Sequence, residues 1–280
     1  MRLPETRIGY IKYGRKPYRT SLISLSTQPD IPMGPLLREP LIDLKTAYPW
    51  LPPGFASMLE RLLGFRALNT IYQSLPPETG PQDFFDRVLK VMGVDYTVLT
   101  QETHPLPTTG PVLVLANHPF GGIDGLILGS WVSGQRADSK FLVNRLLLRM
   151  EEMAPRIIPV DVFGGSEAQE GNWRGMRESL NYLKNGGCLA TFPAGEVAHW
   201  TRRFQVRESP WSVHLAQLAQ RTRATIVPVY FPGANSWTFQ AGGCIHERLR
   251  TLLLPRETVR RKQKSFLMVV GDPIPADRLE

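Results

Sequence analysis

His118 and Asp124 stand six positions apart in the segment Ala116-Asn117-His118-Pro119-Phe120-Gly121-Gly122-Ile123-Asp124-Gly125. An imidazole held beside a carboxylate is a general base. The carboxylate fixes the ring tautomer and stabilises the imidazolium that forms when a proton is taken. Gly121 and Gly122 let the backbone turn tightly enough to bring the two side chains together. The plainer alternative is an ordinary turn, with Asp124 capping a helix and His118 in solvent.

The elements around this pair must position it. The apolar run Val112-Leu113-Val114-Leu115 reads as a buried strand. Leu126 to Trp131 reads as the start of a helix. The pair therefore falls on a strand-to-helix turn, and in parallel α/β sheets the carboxyl ends of strands are where sites form. Strands are expected at 94–100, 111–116, 139–143, 156–160, 187–192, 225–230 and 265–270. Helices are expected at 124–134, 144–153, 168–185, 210–221 and 241–254. A further helix is expected through Phe84, Phe85, Val88, Leu89 and Met92, stopped by Gly93. This alternation predicts an α/β fold with a largely parallel central sheet flanked by helices.

Upstream, residues 1–80 read as an N-terminal arm and amphipathic helical region, and 81–280 as the main domain. Residues 1–48 are rich in Pro, Ser and Thr and have no sustained period, which suggests an extended arm with short strands. Phe55, Met58, Leu59, Leu62 and Leu63 then share one face of a helix. Leu68, Ile71 and Tyr72 continue an apolar stripe after Gly64. Two readings stay open for that helix: it lies in a membrane interface, or it packs on the core. Leu75 to Pro81 reads as a boundary.

Composition narrows the partners. The chain has 280 residues, 42% of them hydrophobic, which suits one large packed core. No run reaches the roughly 18 apolar residues of a membrane span, and the N-terminus lacks a signal-peptide pattern. A cytoplasmic location, peripheral on the inner face of the cell membrane, is expected. Net charge is +8 and the isoelectric point about 9.7. That balance suits an anionic membrane surface. Basic residues are scattered and no nucleic-acid motif is present, so nucleic acid is not expected as a partner. Cys188 and Cys244 have no metal-ligand spacing and are expected as buried, reduced thiols. His104 and His246 read as surface residues, His214 as structural, and His199 as a neighbour of the site. None forms a metal-ligand spacing, so no metal is expected.

The His118 block resembles the signature of the glycerolipid and lysophospholipid acyltransferase superfamily. Its usual form is N-H-x-x-x-x-D; here one residue is inserted, giving H-x5-D. That form is similar to the branch labelled hemolysin-like, which includes O-acyltransferases that make amino-acid-containing lipids such as ornithine lipids. Three more blocks follow in the family's order. Arg156-Ile157-Ile158-Pro159-Val160-Asp161 resembles the second motif and Thr191-Phe192-Pro193-Ala194-Gly195-Glu196-Val197 the third. Ile226-Val227-Pro228-Val229-Tyr230 resembles the fourth. The resemblance covers residues 81–280.

It implies transfer of a fatty acyl group from a thioester of acyl carrier protein or CoA to the hydroxyl of a lyso-lipid, with no other cofactor. His118 would be the base and Asp124 its orienter, and the acceptor would attack the thioester directly without an acyl-enzyme, so Ser130 and Ser166 are not needed as nucleophiles. Asn117, Pro119, Gly121, Gly122, Phe192, Pro193, Gly195 and Glu196 would line the substrate site. Backbone N–H groups of Gly195-Glu196-Val197 would hold the oxyanion. Glu196 stands two positions after the family's acid, and either orients the acceptor or caps a loop. The arginines that end the second and third motifs in phosphate-acceptor enzymes are replaced by Val162 and Val197. Guanidinium forks suit phosphate, so their loss favours an aminolipid acceptor such as lyso-ornithine lipid, with Arg202 or Arg203 facing its carboxylate. Lysophosphatidate acylation, a hydrolase using the same base, and a non-catalytic lipid-binding protein are the alternatives.

Overall fold

The computed structural model describes residues 6–13, 16–24, 38–161 and 166–279, with side chains described at 19–24, 38–161 and 171–279. Strands β1 (Thr6–Tyr13) and β2 (Lys16–Ile23) form an antiparallel hairpin. Helices α1 (Leu44–Ala47), α2 (Pro53–Leu62), α3 (Phe65–Gln73) and α4 (Phe84–Met92) follow. The alternating part begins with β3 (Asp95–Thr100), β4 (Val112–Ala116), α5 (Gly122–Gln135), β5 (Ser139–Asn144) and β6 (Ile157–Val160). It continues with α6 (Ser166–Lys184) and β7 (Cys188–Thr191). A small hairpin of β8 (His199–Trp200) and β9 (Val206–Arg207) leads to α7 (Val213–Thr222) and β10 (Thr225–Tyr230). Helices α8 (Trp237–Ile245) and α9 (Glu247–Val259) precede the last strand, β11 (Ser265–Val270).

Among the described residues nine strands form one sheet in the order β1-β2-β3-β11-β10-β4-β7-β5-β6. From β10 to β6 every pairing is parallel. β11 runs antiparallel to β10 and parallel to β3, and β2 joins β3 antiparallel. The α/β expectation with a largely parallel sheet holds. β4 sits near the middle, and all five of its residues are buried. Its side chains alternate between two cores: Val112, Val114 and Ala116 pack on one face, Leu113 and Leu115 on the other. A strand covered on both faces needs an unbroken apolar run, and each such Val or Leu contributes about 1.5–3 kcal/mol.

Two expected helices differ. Residues 144–153 form no α-helix; they hold a 3-10 turn at Arg145–Arg149, and a second follows at Ala154–Arg156. The residues of this stretch that reach the core are Leu147, Met150 and Met153. Their spacing of three is the 3-10 period, not the α period. The single helix expected at 241–254 is two helices, broken at His246, whose backbone is extended and whose Nδ1 accepts the Arg248 N–H at 3.0 Å. Gly242 and Gly243 allow the two helices to fold together: a Cβ at 242 would lie 2.8 Å from Leu253.

The N-terminal helices split at Gly64. Its φ is +80°, and a Cβ there would lie 2.7 Å from the Arg256 Cα of α9. On one side of this break α3 buries Phe65, Ile71 and Tyr72. On the other side α2 leaves Phe55, Met58 and Leu62 exposed. α2 ends in Leu62, and of its ten residues only Ala56 is fully buried.

Candidate active site

The site is the link between β4 and α5. Asp124 occupies the first turn of α5 and has no solvent exposure. Its Oδ2 accepts the N–H groups of Phe120 at 2.8 Å and Gly121 at 3.3 Å, and its Oδ1 accepts that of Gly125 at 2.9 Å. An acidic side chain that reaches back to the N-cap satisfies the unpaired donors at a helix start. The helix dipole favours its negative charge. Asp124 therefore caps the helix, as the plainer reading had it, and also faces the histidine. His118 Nδ1 lies 3.1 Å from Asp124 Oδ1, and the imidazole is 18% exposed. The contact lacks the alignment of a hydrogen bond, and buried Nδ1 has no other partner among the described residues. Such contacts tighten when substrate is bound. With Nδ1 turned to the carboxylate, Nε2 is the nitrogen left to take a proton.

The chain clamps this loop from three directions. Asn117, expected as a substrate contact, exchanges two hydrogen bonds with the backbone of Phe231: Nδ2 donates to its carbonyl at 2.9 Å, and Oδ1 accepts its N–H at 2.6 Å. Asn235 donates to the carbonyl of Phe120 at 3.2 Å, and the Arg261 guanidinium lies 4.0 Å over the Phe120 ring. Burial pushes the Arg261 pKa down, and the charges of Glu257 and Asp124 oppose that shift. Glu208 accepts the backbone N–H of His118 and, through its other oxygen, the indole N–H of Trp211 at 2.9 Å.

The third block closes the other side. Phe192 stacks on the His118 imidazole, centroids 3.8 Å apart and planes inclined by 24°. Ala198 N–H donates to the His118 carbonyl at 2.9 Å, and Ser212 N–H to that of Pro193 at 3.1 Å. Gly195 takes φ +71°, and its N–H bonds the Phe192 carbonyl at 3.0 Å. Glu196 is engaged within the protein: Oε1 accepts the Ser209 hydroxyl, and Oε2 pairs with Arg250 of α9. His199 Nδ1 stands 4.0 Å from the same carboxylate.

α9 thus lies across the His118–Asp124 loop. A Cβ at Gly121 would come within 2.7 Å of Leu254 and 3.3 Å of Val197, and one at Gly122 within 2.3 Å of Thr258. The two glycines serve this close approach as well as the turn. Val197, where phosphate-acceptor relatives are expected to carry arginine, is buried against the loop. Val162 lies outside the described residues. Pro119 stays between His118 and the Phe120 clamp.

Other expected residues sit elsewhere. Arg202 and Arg203 are exposed on the turn between β8 and β9. Arg156 is a buried structural group that donates to Ser133, Ser139, Gln82 and the Ala137 carbonyl, and burial pushes its pKa down. Ser130 is buried and bonded to the Tyr96 hydroxyl at 2.8 Å. His104 and His246 are exposed as expected; His214 is exposed too, not part of a core. Cys188 is buried, but Cys244 is exposed, contrary to expectation, because it lies in the last turn of α8 at the helix corner. Glu208, Asn235 and Arg261 carry no local sequence signal, since each meets the loop from at least 90 residues away, and Arg250 reaches Glu196 from 54 residues away.

A carboxylate facing a histidine on a strand-to-helix turn, with an aromatic ring stacked on the imidazole, is an arrangement that can serve as a general base. The family model described as Acyltransferase matches residues 46–280. The chain belongs to that family, within the glycerolipid acyltransferase superfamily, and is an acyltransferase. It is similar to the lyso-glycine lipid O-acyltransferase of Phocaeicola vulgatus, 26% identical over 236 residues that make up 81% of each chain. The protein of the same name from Bacteroides thetaiotaomicron is 27% identical over 236 residues, 81% of this chain and 83% of that one. The solved structure of the 1-acyl-sn-glycerophosphate (LPA) acyltransferase PlsC from Thermotoga maritima superposes with a TM-score of 0.45 at 15% identity. It covers 80% of this chain and 83% of that chain.

Proposed function

We propose that this acyltransferase is a membrane-peripheral O-acyltransferase that moves a fatty acyl group from a thioester, on acyl carrier protein or CoA, to the hydroxyl of a lyso-aminolipid. The observation that carries it is the His118–Asp124 pair beside a third block that ends in Val197 and not in arginine. His118 Nε2 takes the proton of the acceptor hydroxyl as its oxygen attacks the thioester carbonyl. The C–O bond forms and a tetrahedral oxyanion develops. Gly195 N–H is already bonded to Phe192, so the N–H groups of Glu196 and Val197 are the donors assigned to that oxyanion. The C–S bond then breaks, and the imidazolium returns its proton to the departing thiolate. Ester and free thiol are the products.

The acceptor class rests on charge. A phosphomonoester carries two negative charges that a pocket must compensate. Val197 beside Gly121 supplies none. An aminolipid headgroup needs a partner for one carboxylate, and Arg202 or Arg203 is assigned to it. The names of the two bacterial relatives support this class and favour a glycine headgroup over ornithine. Among the described residues no helix is long and apolar enough to cross a membrane. The exposed face of α2, together with the +8 charge, is assigned to an anionic bilayer surface. Side-by-side assays with one thioester donor test the acceptor. Lyso-glycine lipid should show a higher kcat/KM than lysophosphatidate, with lyso-ornithine lipid as the comparison headgroup. A clear preference for lysophosphatidate overturns the aminolipid assignment and makes Arg202 and Arg203 phosphate ligands.

A further inference from the structure

The flank of the site carries large apolar side chains that the fold leaves uncovered. Trp237 opens α8 at 69% exposure and Ile245 closes it at 78%. Leu249 and Leu252 follow on α9, three positions apart and also exposed. Phe204 stands at 73% exposure on the turn between β8 and β9, with φ +53°. The β8–β9 turn and the start of α8 are joined through Trp200, and α8 runs on to Ile245 and the α9 residues. Trp200 meets Phe204 edge-on at 5.6 Å and Trp237 at 6.4 Å, and its N–H bonds Gln240 of α8 at 2.9 Å. Exposed arginines border it: Arg207 with Arg202 and Arg203 on the hairpin, and Arg248 on α9. The surface adjoins the site, because Trp200 follows two residues after Ala198, which bonds the His118 carbonyl.

We infer that this α8–α9 corner and the β8–β9 turn form a second bilayer contact, distinct from α2, that seats the mouth of the site on an anionic membrane. The inference rests on the lyso-lipid reading above. Large apolar side chains bordered by arginine match the interfacial zone of a bilayer, where aromatic rings sit at headgroup level and cations meet lipid phosphates. The shape decides between partners. Phe204 and Ile245 lie at a hairpin turn and a helix end, which are protruding corners. A deformable lipid layer accepts such corners without a matching pocket; an acidic carrier protein would meet the arginines but leave the corners in water. A lyso-lipid keeps its acyl chain in the membrane, so its hydroxyl reaches His118 over the shortest path when the mouth lies on the bilayer.

The chain supplies its own probe site. Cys244 is exposed beside Ile245, whereas Cys188 is buried, with its thiol pushed up to about 12 by that burial. A thiol-reactive, environment-sensitive dye therefore labels Cys244 of the full chain. With vesicles of phosphatidylcholine and phosphatidylglycerol, the dye should shift to the blue and brighten severalfold. Trp237→Asp with Ile245→Asp should remove that response while leaving turnover of a dispersed short-chain acceptor unchanged. A dye that stays water-like while the labelled protein sediments with the vesicles overturns the second contact, and needs no variant to do so. A response to acyl carrier protein but not to vesicles also overturns it. Turnover of the dispersed acceptor is read in the same samples, so failure of the lyso-lipid reading shows separately.

Discussion

At the scale of single residues, Asp124 does two jobs whose consequences separate. Its carboxylate receives three backbone N–H groups and faces the histidine. Asp124→Ala strands those donors in a buried turn, at a cost of about 1–3 kcal/mol for an unsatisfied buried group. It should lower the midpoint of denaturation and abolish turnover together. Asp124→Asn keeps an oxygen acceptor and should fold well, yet it should still lose most turnover because the imidazole then favours the wrong tautomer. Denaturation curves measured beside turnover separate the two; an Asn variant with full turnover would remove the orienting role. This pair was legible in the sequence because both residues and their glycines lie in one short loop. The groups that hold the loop were not. Glu208, Asn235 and Arg261 reach it from distant elements, and none stands in a pattern that differs from an ordinary surface residue. Glu196 was legible as unusual, but its partners Ser209 and Arg250 show it tying α9 to the third block.

At the scale of elements, the strands were the readable part. Each buried parallel strand is a short apolar run between turn residues, as in Val112–Ala116, so its place follows from composition. The connections were harder. Leu146, Leu147 and Leu148 in succession look helical, but only the three-residue spacing Leu147, Met150, Met153 meets the core. Gly242-Gly243 looks like a tolerable helix interior, yet it marks where α8 and α9 close on each other. The seating of α9 on the His118–Asp124 loop gives a prediction of its own. Gly122→Ala would press a methyl group against Thr258 and should destabilise the fold by about 1–3 kcal/mol, the usual cost of overpacking. Thr258→Ala removes the opposing atoms, so the double variant should recover part of that loss. Chemical denaturation of the four proteins in the cycle checks it. Strictly additive losses would mean that the two positions do not press on each other.

For the whole molecule, the N-terminal helices give the clearest contrast between sequence and structure. The same apolar periodicity runs through α2 and α3, but the break at Gly64 sends one stripe into the core and leaves the other outside. Periodicity alone carries no information about which stripe is covered. Met58→Asp with Leu62→Asp should weaken sedimentation with anionic vesicles and leave thermal unfolding unchanged. Binding of the unaltered protein should fall as salt rises, since the attraction of a +8 chain is screened. Unfolding of the double variant would show instead that the outer stripe is needed for the core. The proposed function makes one nitrogen, His118 Nε2, the centre of the reaction. The most direct measurement is the turnover of His118→Ala with a long-chain thioester and a lyso-aminolipid, with folding checked by circular dichroism. The account predicts a folded protein whose kcat is lower by roughly 10²–10⁴-fold, the usual contribution of a general base. A folded His118→Ala protein that transfers the acyl group at nearly the original rate would contradict it.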